Sequence, residues 1–348
     1  MNLSVGIVGL PNAGKSTLFN ALLGRSVANT APYPFCTIDP NIGVVPVPDQ
    51  RLSVLAKIVK TDKIVAAVVK FVDIAGLVKG ASTGEGLGNQ FLSHIRETDA
   101  ICFVVRDFSD DQVVQTGKNP KDDFDTVKAE LILKDLETIE KIQNEKLQIK
   151  TKNLIPKLIN GFNNGMLASQ IELDKEEREI VKLWTLLTDK PYFIVLNVNE
   201  TDLVDIEEKI KQYKDWTVIP ICAKLEEQLA GLSGDEQKEY LKSVGLEKSG
   251  LERLIKTAYD HLGLISFLTA GELEARAWTI YKGTMAPEAA GAIHTDFAKK
   301  FIKAKIVSYD DFVKFGGWIK AKDSGKVRLE GRDYIMSEAD VVEFEIGN

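Results

Sequence analysis

Near-continuous apolar runs mark the first part of the chain, and segments with helical periodicity separate them. Such runs are typical of strands that helices cover on both faces, rather than of strands with one face in water. The alternation of strand and helix predicts an α/β fold with a doubly wound, largely parallel sheet. The predicted strands are residues 3–10, 65–73, 100–106, 192–198 and 217–223.

The pattern changes between residues 124 and 190, where long charge-rich segments carry apolar residues at helical spacing. One stripe runs up to Pro191, which is expected to end the helix, and a similar stripe lies upstream. We therefore predict a helical hairpin inserted into the sheet domain, with residues 161–166 (GFNNGM) as the turn between its arms. The stripe residues are Ile132, Leu136 and Ile139 upstream, and Ile180, Leu183, Trp184 and Leu187 downstream.

After about residue 264 the pattern changes again, to short strand-like runs around one predicted helix at roughly residues 295–301. This predicts a small α+β domain at the C-terminal end. The predicted division is a nucleotide-binding domain from residues 1–115 and 191–263, a helical insertion from 116–190, and a C-terminal domain from 264–348.

Composition narrows the function classes. The chain has 348 residues and a net charge of −7, which favours two or three domains and argues against nucleic-acid binding over the whole surface. No apolar run approaches the roughly 20 residues of a membrane span, and the N-terminal strand leaves no room for a signal peptide. Cys36, Cys102 and Cys222 are too scattered for a disulfide framework or a zinc site, so we expect a cytoplasmic protein in which Cys102 and Cys222 are core thiols.

The most specific motif is residues 9–16, GLPNAGKS, which follows the first predicted strand and precedes a helix. A phosphate-binding loop requires that order, because glycines and the helix N-terminus together present backbone N–H groups to phosphate oxygens. Lys15 is expected to reach the β- and γ-phosphates, and Ser16 to bind Mg²⁺. The predicted nucleotide contacts in the loop are Asn12, Ala13, Gly14, Lys15, Ser16 and Thr17.

Two later segments complete a predicted Mg²⁺ site. Asp73 ends an apolar strand and can hold Mg²⁺, while the N–H of Gly76, three residues on, can meet the γ-phosphate. Thr37 lies in a Pro-rich loop; alone it suits a turn, but the order of P-loop, Thr and DxxG favours a second hydroxyl ligand. Leu77 follows Gly76 where Ras-like enzymes place a water-orienting Gln, so slow intrinsic hydrolysis is expected unless a cation, a loop rearrangement or a partner completes the site.

The base-reading motif departs from the one that recognises guanine. NVNE begins at Asn197, where GTP-binding switch proteins carry NKxD. Val198 replaces the lysine, and Glu200 replaces the aspartate that accepts from guanine N1–H and the N2 amino group. A carboxylate one methylene longer misfits this edge, so guanine selectivity should be lost, although a preference for adenine does not follow from these residues alone. Ala223, within the ICAK segment, predicts a loop that closes over the base.

Taken in order, GLPNAGKS, PFCTIDPN, DIAGLVKGAS, GEGLGN, NVNE and HTDFAKKFI make essentially the whole chain resemble the YchF/Obg-like ATPase family. The resemblance implies a P-loop GTPase-like (OBG-type) domain with a coiled-coil insertion, followed by a ubiquitin-like (β-grasp) TGS domain. It also implies a Mg²⁺-dependent ATPase that prefers ATP to GTP and associates with the ribosome or its large subunit; we expect a monomer.

Three features of the sequence each allow two interpretations. Asn12 matches a position that binds K⁺ in several related switch proteins, or it caps the turn. His94 is a candidate base, but its segment FLSHIRE favours a surface histidine on a helix. A basic patch beside Phe297 and Phe301 is either a solvated helix face or an RNA contact. Its members are Lys299, Lys300, Lys303 and Lys305.

Two other functions remain as alternatives. A conventional GTPase whose Glu200 still reads guanine would bind GTP in preference to ATP. A small-molecule kinase would usually carry an Arg-rich lid and no base-reading motif, and this chain has the motif without such a lid.

Overall fold

The computed structural model describes residues 3–28, 41–74, 87–109, 119–143, 149–204 and 206–347, and the strands and helices below are those within these ranges. Twelve strands lie in two six-stranded sheets. They are β1 Ser4–Val8, β2 Ile42–Pro46, β3 Ile64–Val65, β4 Val68–Asp73, β5 Ala100–Asp107, β6 Tyr192–Val198, β7 Val218–Ile221, β8 Leu264–Ala270, β9 Ala275–Tyr281, β10 Phe301–Ser308, β11 Arg328–Glu330 and β12 Asp340–Ile346.

Fourteen α-helices accompany the sheets in the described ranges. They are α1 Lys15–Ala28, α2 Gln50–Val59, α3 Leu87–Glu97, α4 Pro120–Gln143, α5 Ile149–Asn163, α6 Lys175–Leu183, α7 Glu207–Lys211, α8 Ala223–Ala230, α9 Gly234–Ser243, α10 Gly250–His261, α11 Ala286–Ile293, α12 Thr295–Lys300, α13 Tyr309–Phe315 and α14 Trp318–Asp323. None of them is long and apolar enough to cross a membrane.

The first sheet has the strand order β2-β4-β1-β5-β6-β7. All neighbouring pairs are parallel except β2 with β4, which is antiparallel. Along β1, Val5 and Ile7 pack into one apolar cluster and Val8 into another, so both faces of the sheet are covered. This confirms the prediction of an α/β sheet, and its parallel strands bring their carboxyl ends to one edge, where ligands bind in such folds.

The strand predictions hold with two corrections. The predicted strand at 65–73 is two strands, because β3 leaves the first sheet and pairs with β9 of the second. The edge strand β2 was not predicted, since its buried and half-buried residues alternate and lack the continuous apolar run of the inner strands.

The helical insertion contains α4 and α5, whose buried residues Ile132, Ile139, Leu154 and Leu158 share one apolar cluster. The predicted turn at 161–166 was wrong, because this segment ends α5 and the connection between the two helices falls at 144–148, outside the described residues. Gly165 adopts φ 71°, and the N–H of Met166 bonds to the carbonyl of Gly161, which closes the helix at its C-terminal end. The coiled-coil character of the insertion stays a prediction.

The predicted stripe before Pro191 was also wrong. α6 ends at Leu183, whose side chain is 81% exposed, and Leu187 lies in a separate 3₁₀ turn where it is buried. Thr185 at φ 49° breaks the helix between them. The buried Asp135 then accepts hydrogen bonds from the N–H groups of Leu187 and Thr188, which fixes the 3₁₀ turn against α4.

The second sheet has the order β11-β10-β12-β8-β9-β3. Helices α11 to α14 pack in this part of the chain, rather than the single helix predicted; α12 matches that helix, and Phe301 already begins β10. Because β3 precedes residue 264 and Arg51 forms an ion pair of 2.6 Å with Glu338, the two parts of the chain are joined by a strand and a salt bridge. The boundary at 264 and the TGS description stay predictions.

Candidate nucleotide-binding site

The loop between β1 and α1 needs glycine at two positions for steric reasons. A Cβ on Gly9 would lie 2.4 Å from the carbonyl oxygen of Val104, so glycine lets the loop rest against β5. Gly14 adopts φ 91°, and a Cβ there would lie 2.2 Å from Nδ2 of Asn197. The exposed Asn12 also has a positive φ, 63°, which asparagine tolerates better than most residues. The loop is therefore held in a conformation that turns its backbone toward the start of α1.

Lys15, at the first position of α1, is only 8% exposed. Its Nζ donates to the carbonyl oxygens of Gly9, at 3.0 Å, and Leu10, at 2.8 Å. Burial lowers the pKa of this amine, while the nearby carboxylate of Asp73 opposes that shift. The loop thus curls around an ammonium group that two carbonyls orient, which suits the binding of phosphate oxygens.

Ser16 and Asp73 meet at the carboxyl end of β4. The Ser16 hydroxyl donates to Oδ2 of Asp73 at 3.2 Å. Oδ1 of Asp73 is buried and has no hydrogen-bond partner among the described residues. Hydroxyl and carboxylate oxygens are the ligands that Mg²⁺ prefers, so this orphaned acceptor beside a hydroxyl fits the predicted metal. Thr37, Gly76 and Leu77 lie outside the described residues.

Asn197 ties the loop to the end of β6. Its Nδ2 donates to the carbonyl of Ala13 at 3.0 Å, and its Oδ1 accepts from the N–H of Ala223 at 3.0 Å. The side chain is buried, and both ends of its amide are therefore engaged by the protein. Asn197 joins the phosphate loop to the segment that begins α8, so it positions both.

A cavity of about 520 Å³ opens beside this junction. It is lined by Glu200 and Val198, the residues predicted to read the base, and by Thr17 and Ala223; their roles stay predictions. Val198 is only 1% exposed and packs in the apolar core with Leu196, so it supplies a fixed wall. The predicted members of the site that the structure describes thus lie at one edge of the sheet.

Phe108 is a site residue that the motifs did not reveal. It lines the same cavity, and the guanidinium of Arg106 lies 4.5 Å from the centroid of its ring. An aromatic ring at this place offers a face for stacking on a nucleobase. The signal in the sequence was its position just after β5, next to the strand that carries the base motif. Cys222 also lines the cavity; burial raises the pKa of its thiol, as expected for a core cysteine.

A residue outside the NVNE motif forms a hydrogen bond with Glu200. The hydroxyl of Tyr240 on α9 donates to its Oε1 at 3.0 Å. Tyr240 lies 40 residues after Glu200 in the sequence, and no motif links the two positions, so this contact was not predicted.

The remaining candidates are His94 and the four lysines of the basic patch. His94 is exposed on α3, as the surface interpretation expects, and lines a cavity of about 270 Å³ that also includes Asp73. Lys299 and Lys300 lie on α12, whereas Lys303 and Lys305 lie on β10, so the predicted single helix face was wrong. Nζ of Lys303 and Lys305 lie 3.2 and 3.1 Å from the carboxylate of Glu345, and Nζ of Lys305 also lies 3.5 Å from that of Glu343, so these two carboxylates offset half of the patch's charge.

A second cavity, of about 540 Å³, lies in the C-terminal part between Leu273, Phe297 and Trp318. The residues that line it come from the C-terminal part of the chain, whereas Gly14 and Thr17 of the phosphate loop line the cavity beside Asn197. The cavity beside Asn197 is therefore the better nucleotide site, although it is slightly smaller.

Two protein-family models match this chain, one in its N-terminal part and one in its C-terminal part. A protein-family model described as a 50S ribosome-binding GTPase matches residues 4–134. A second model, YchF-GTPase_C, described as a protein of unknown function, matches residues 264–347.

Relatives align over nearly the full length. The ribosome-binding ATPase YchF of Bacillus subtilis is 48% identical over 363 residues, covering 99% of each chain. The ribosome-binding ATPase YchF of Haemophilus influenzae is 46% identical over 361 residues, with the same coverage. The solved structure of the Schizosaccharomyces pombe YchF GTPase has a TM-score of 0.88 at 37% identity and covers 99% of this chain and 98% of that one.

Proposed function

The chain belongs to the YchF family, and we propose that it is an ATP-hydrolysing switch protein that prefers ATP to GTP and associates with the ribosome. The observation that carries this proposal is the coincidence of two features at one sheet edge. A phosphate loop with a buried, oriented Lys15 lies beside a cavity lined by Glu200, which stands in place of the guanine-reading aspartate.

For phosphate binding, Lys15 would neutralise charge on the β- and γ-phosphates, and N–H groups from Ala13 to Thr17 would donate to phosphate oxygens. Ser16 and Asp73, joined by Thr37, would hold Mg²⁺, which supplies positive charge opposite the phosphate oxygens when bound. The N–H of Gly76 would meet the γ-phosphate. Leu77 has no group that could orient the attacking water, so intrinsic turnover should be slow.

The choice between adenine and guanine would depend on the residues that line the cavity. Phe108 would stack on the purine, and Ala223 would close over its edge through backbone groups. Glu200 is too long to serve as the guanine acceptor in the usual position, which removes the basis for GTP preference. K⁺ bound near Asn12 would supply positive charge that stabilises the transition state, in a site where Leu77 cannot orient the attacking water.

The relatives in Bacillus subtilis and Haemophilus influenzae are ribosome-binding ATPases by name, and the surface of this chain suggests where RNA would contact it. We infer that Lys299 and Lys300 contribute more than Lys303 and Lys305, because the latter two already share ion pairs with Glu345. A phosphate backbone attracts lysines that acidic neighbours do not neutralise.

Two assays test the proposal. Steady-state hydrolysis with Mg²⁺ should give a higher kcat/KM for ATP than for GTP, and the reverse order would favour a conventional GTPase. Co-sedimentation with ribosomes, with and without ATP, should place the protein in the pellet. Lys299→Glu with Lys300→Glu should weaken that association more than Lys303→Glu with Lys305→Glu; equal weakening would remove the distinction.

A further inference from the structure

Tyr240 reaches the base motif from a helix that sequence motifs do not connect to nucleotide binding. The residue is 36% exposed, and its hydroxyl donates to Oε1 of Glu200 at 3.0 Å. The hydrogen bond to this carboxylate raises the pKa of the Tyr240 phenol, because it holds the proton on the tyrosine oxygen.

Helix α9, which carries Tyr240, is capped at its start and bonded to the preceding segment in its first turn. At its start, Ser233 and Glu236 form a capping box. One turn before Tyr240, Nε2 of Gln237 donates to the carbonyls of Leu229 and Leu232, at 2.9 and 3.0 Å. These bonds tie α9 to the C-terminal end of α8.

The residue after Tyr240 anchors the helix to the cavity wall. Leu241 is 7% exposed and packs in one apolar cluster with Cys222 and Leu225, which both line the nucleotide cavity. The tyrosine hydroxyl is therefore held at a defined distance from the base site.

The number of hydrogen-bond donors on each base links this contact to the choice between guanine and adenine. Guanine presents two adjacent donors, N1–H and the N2 amino group, which a carboxylate reads with both of its oxygens. Adenine presents only its exocyclic amino group as a donor on the corresponding edge. In this site Oε1 of Glu200 already accepts from Tyr240, which occupies one lone pair of that oxygen and restrains the orientation of the carboxylate. The carboxylate is then less free to turn both oxygens toward a guanine edge, and a donor left unpaired costs affinity.

We propose that Tyr240 is a positioning residue for base selection: it holds one oxygen of Glu200 and thereby disfavours guanine relative to adenine. This inference rests on the proposed ATP preference and adds a residue that helps to produce it. Removing the hydroxyl frees the carboxylate to turn both oxygens toward a guanine edge.

The direct test is Tyr240→Phe, with dissociation constants measured for non-hydrolysable ATP and GTP analogues in the presence of Mg²⁺. We expect the preference for the ATP analogue to fall by about fivefold to tenfold, the effect of one hydrogen bond of ordinary net strength. Affinity for the ATP analogue should change by no more than about twofold. Tyr281→Phe, at an exposed tyrosine of β9, is the matched control and should leave both constants unchanged.

A double-mutant cycle tests whether Tyr240 acts through Glu200. In a Glu200→Ala background, Tyr240→Phe should leave the ratio of the two dissociation constants unchanged. Equal weakening of both analogues by Tyr240→Phe would show a merely structural role and overturn the inference. A wild-type protein that prefers the ATP analogue, with the same ratio in Tyr240→Phe, would overturn this inference alone; a wild-type preference for the GTP analogue would overturn the proposed function.

Discussion

The two halves of the candidate site are built in different ways. The phosphate half is one continuous segment, Gly9 to Thr17, joined by Asp73, and its geometry comes from backbone conformation and close packing on the sheet. The base half is assembled from side chains at the ends of β5 and β6, from the start of α8 and from α9. The first half is a local property of the sequence, whereas the second exists only once the fold has brought distant segments together.

One side chain joins the halves. Asn197 bonds to Ala13 on the phosphate side and to Ala223 on the base side. Changes in the phosphate half should therefore affect binding or hydrolysis of every nucleotide alike, while changes in the base half should alter the ratio between nucleotides.

The largest effect is expected from Lys15→Ala. Removing the ammonium that the loop orients should lower ATP hydrolysis by about a thousandfold, because charge on the transferring phosphoryl group is no longer neutralised. Lys57→Ala, at an exposed lysine of α2, is the matched control and should hydrolyse ATP at the wild-type rate. Unchanged turnover in Lys15→Ala, with an unchanged melting temperature, would remove the loop from the mechanism.

Gly14→Ala should damage both halves at once. The new Cβ would lie 2.2 Å from Nδ2 of Asn197 at a φ of 91°, so the loop and the base segment must both shift. We expect the affinities for ATP and GTP analogues to fall together, by about a hundredfold or more.

The matched control for that variant is Gly165→Ala, where φ is 71° but nothing lies within 4 Å of the added Cβ. This variant should lose about 1 kcal/mol of folding stability and keep both affinities. If Gly14→Ala behaves like Gly165→Ala, the steric account of the loop fails.

A smaller effect, confined to the base half, is expected from Val198→Lys combined with Glu200→Asp. Restoring the NKxD pattern should raise affinity for GTP relative to ATP by about tenfold. Because Val198 is 1% exposed, the lysine should also lower the free energy of unfolding by roughly 2 kcal/mol, which thermal denaturation would measure.

Glu200→Asp alone keeps the core intact and separates these two effects. Its shorter side chain should also withdraw from Tyr240, so part of the change in ratio should appear without loss of stability. A ratio that stays constant in both variants would place base choice in the backbone contacts of residues 221–224.

The smallest effect is expected from the choice of monovalent cation. KCl should accelerate ATP hydrolysis about threefold more than NaCl does, if charge near Asn12 assists the reaction. Asn12→Gly removes the side chain but accommodates φ 63°, and it should erase the difference between the salts. Equal rates in KCl and NaCl for the wild-type protein would leave Asn12 as a turn residue.

The sequence predicted the parts of the molecule that depend on local pattern. The inner strands, the loop at Gly9 and the side chains of Lys15, Ser16 and Asp73 follow from apolar runs and from residues spaced a few positions apart. The end of helix α6 at Leu183 did not follow from the sequence pattern, because the periodicity of apolar residues gives no sign of the positive φ at Thr185.

Contacts between distant segments were the main omissions. Phe108 enters the site because β5 lies beside β6, and Tyr240 reaches Glu200 because α9 packs on α8. Likewise, β3 pairs with β9 across more than two hundred residues of sequence, and a two-residue strand carries no pattern of its own. These features depend on tertiary packing, which periodicity in a single segment does not contain.

The central claim is that this site binds ATP in preference to GTP. The most direct measurement is a competition titration of the wild-type protein, in Mg²⁺, with non-hydrolysable ATP and GTP analogues against one fluorescent nucleotide. The account predicts a lower dissociation constant for the ATP analogue; a dissociation constant for the GTP analogue that is equal or lower would contradict it.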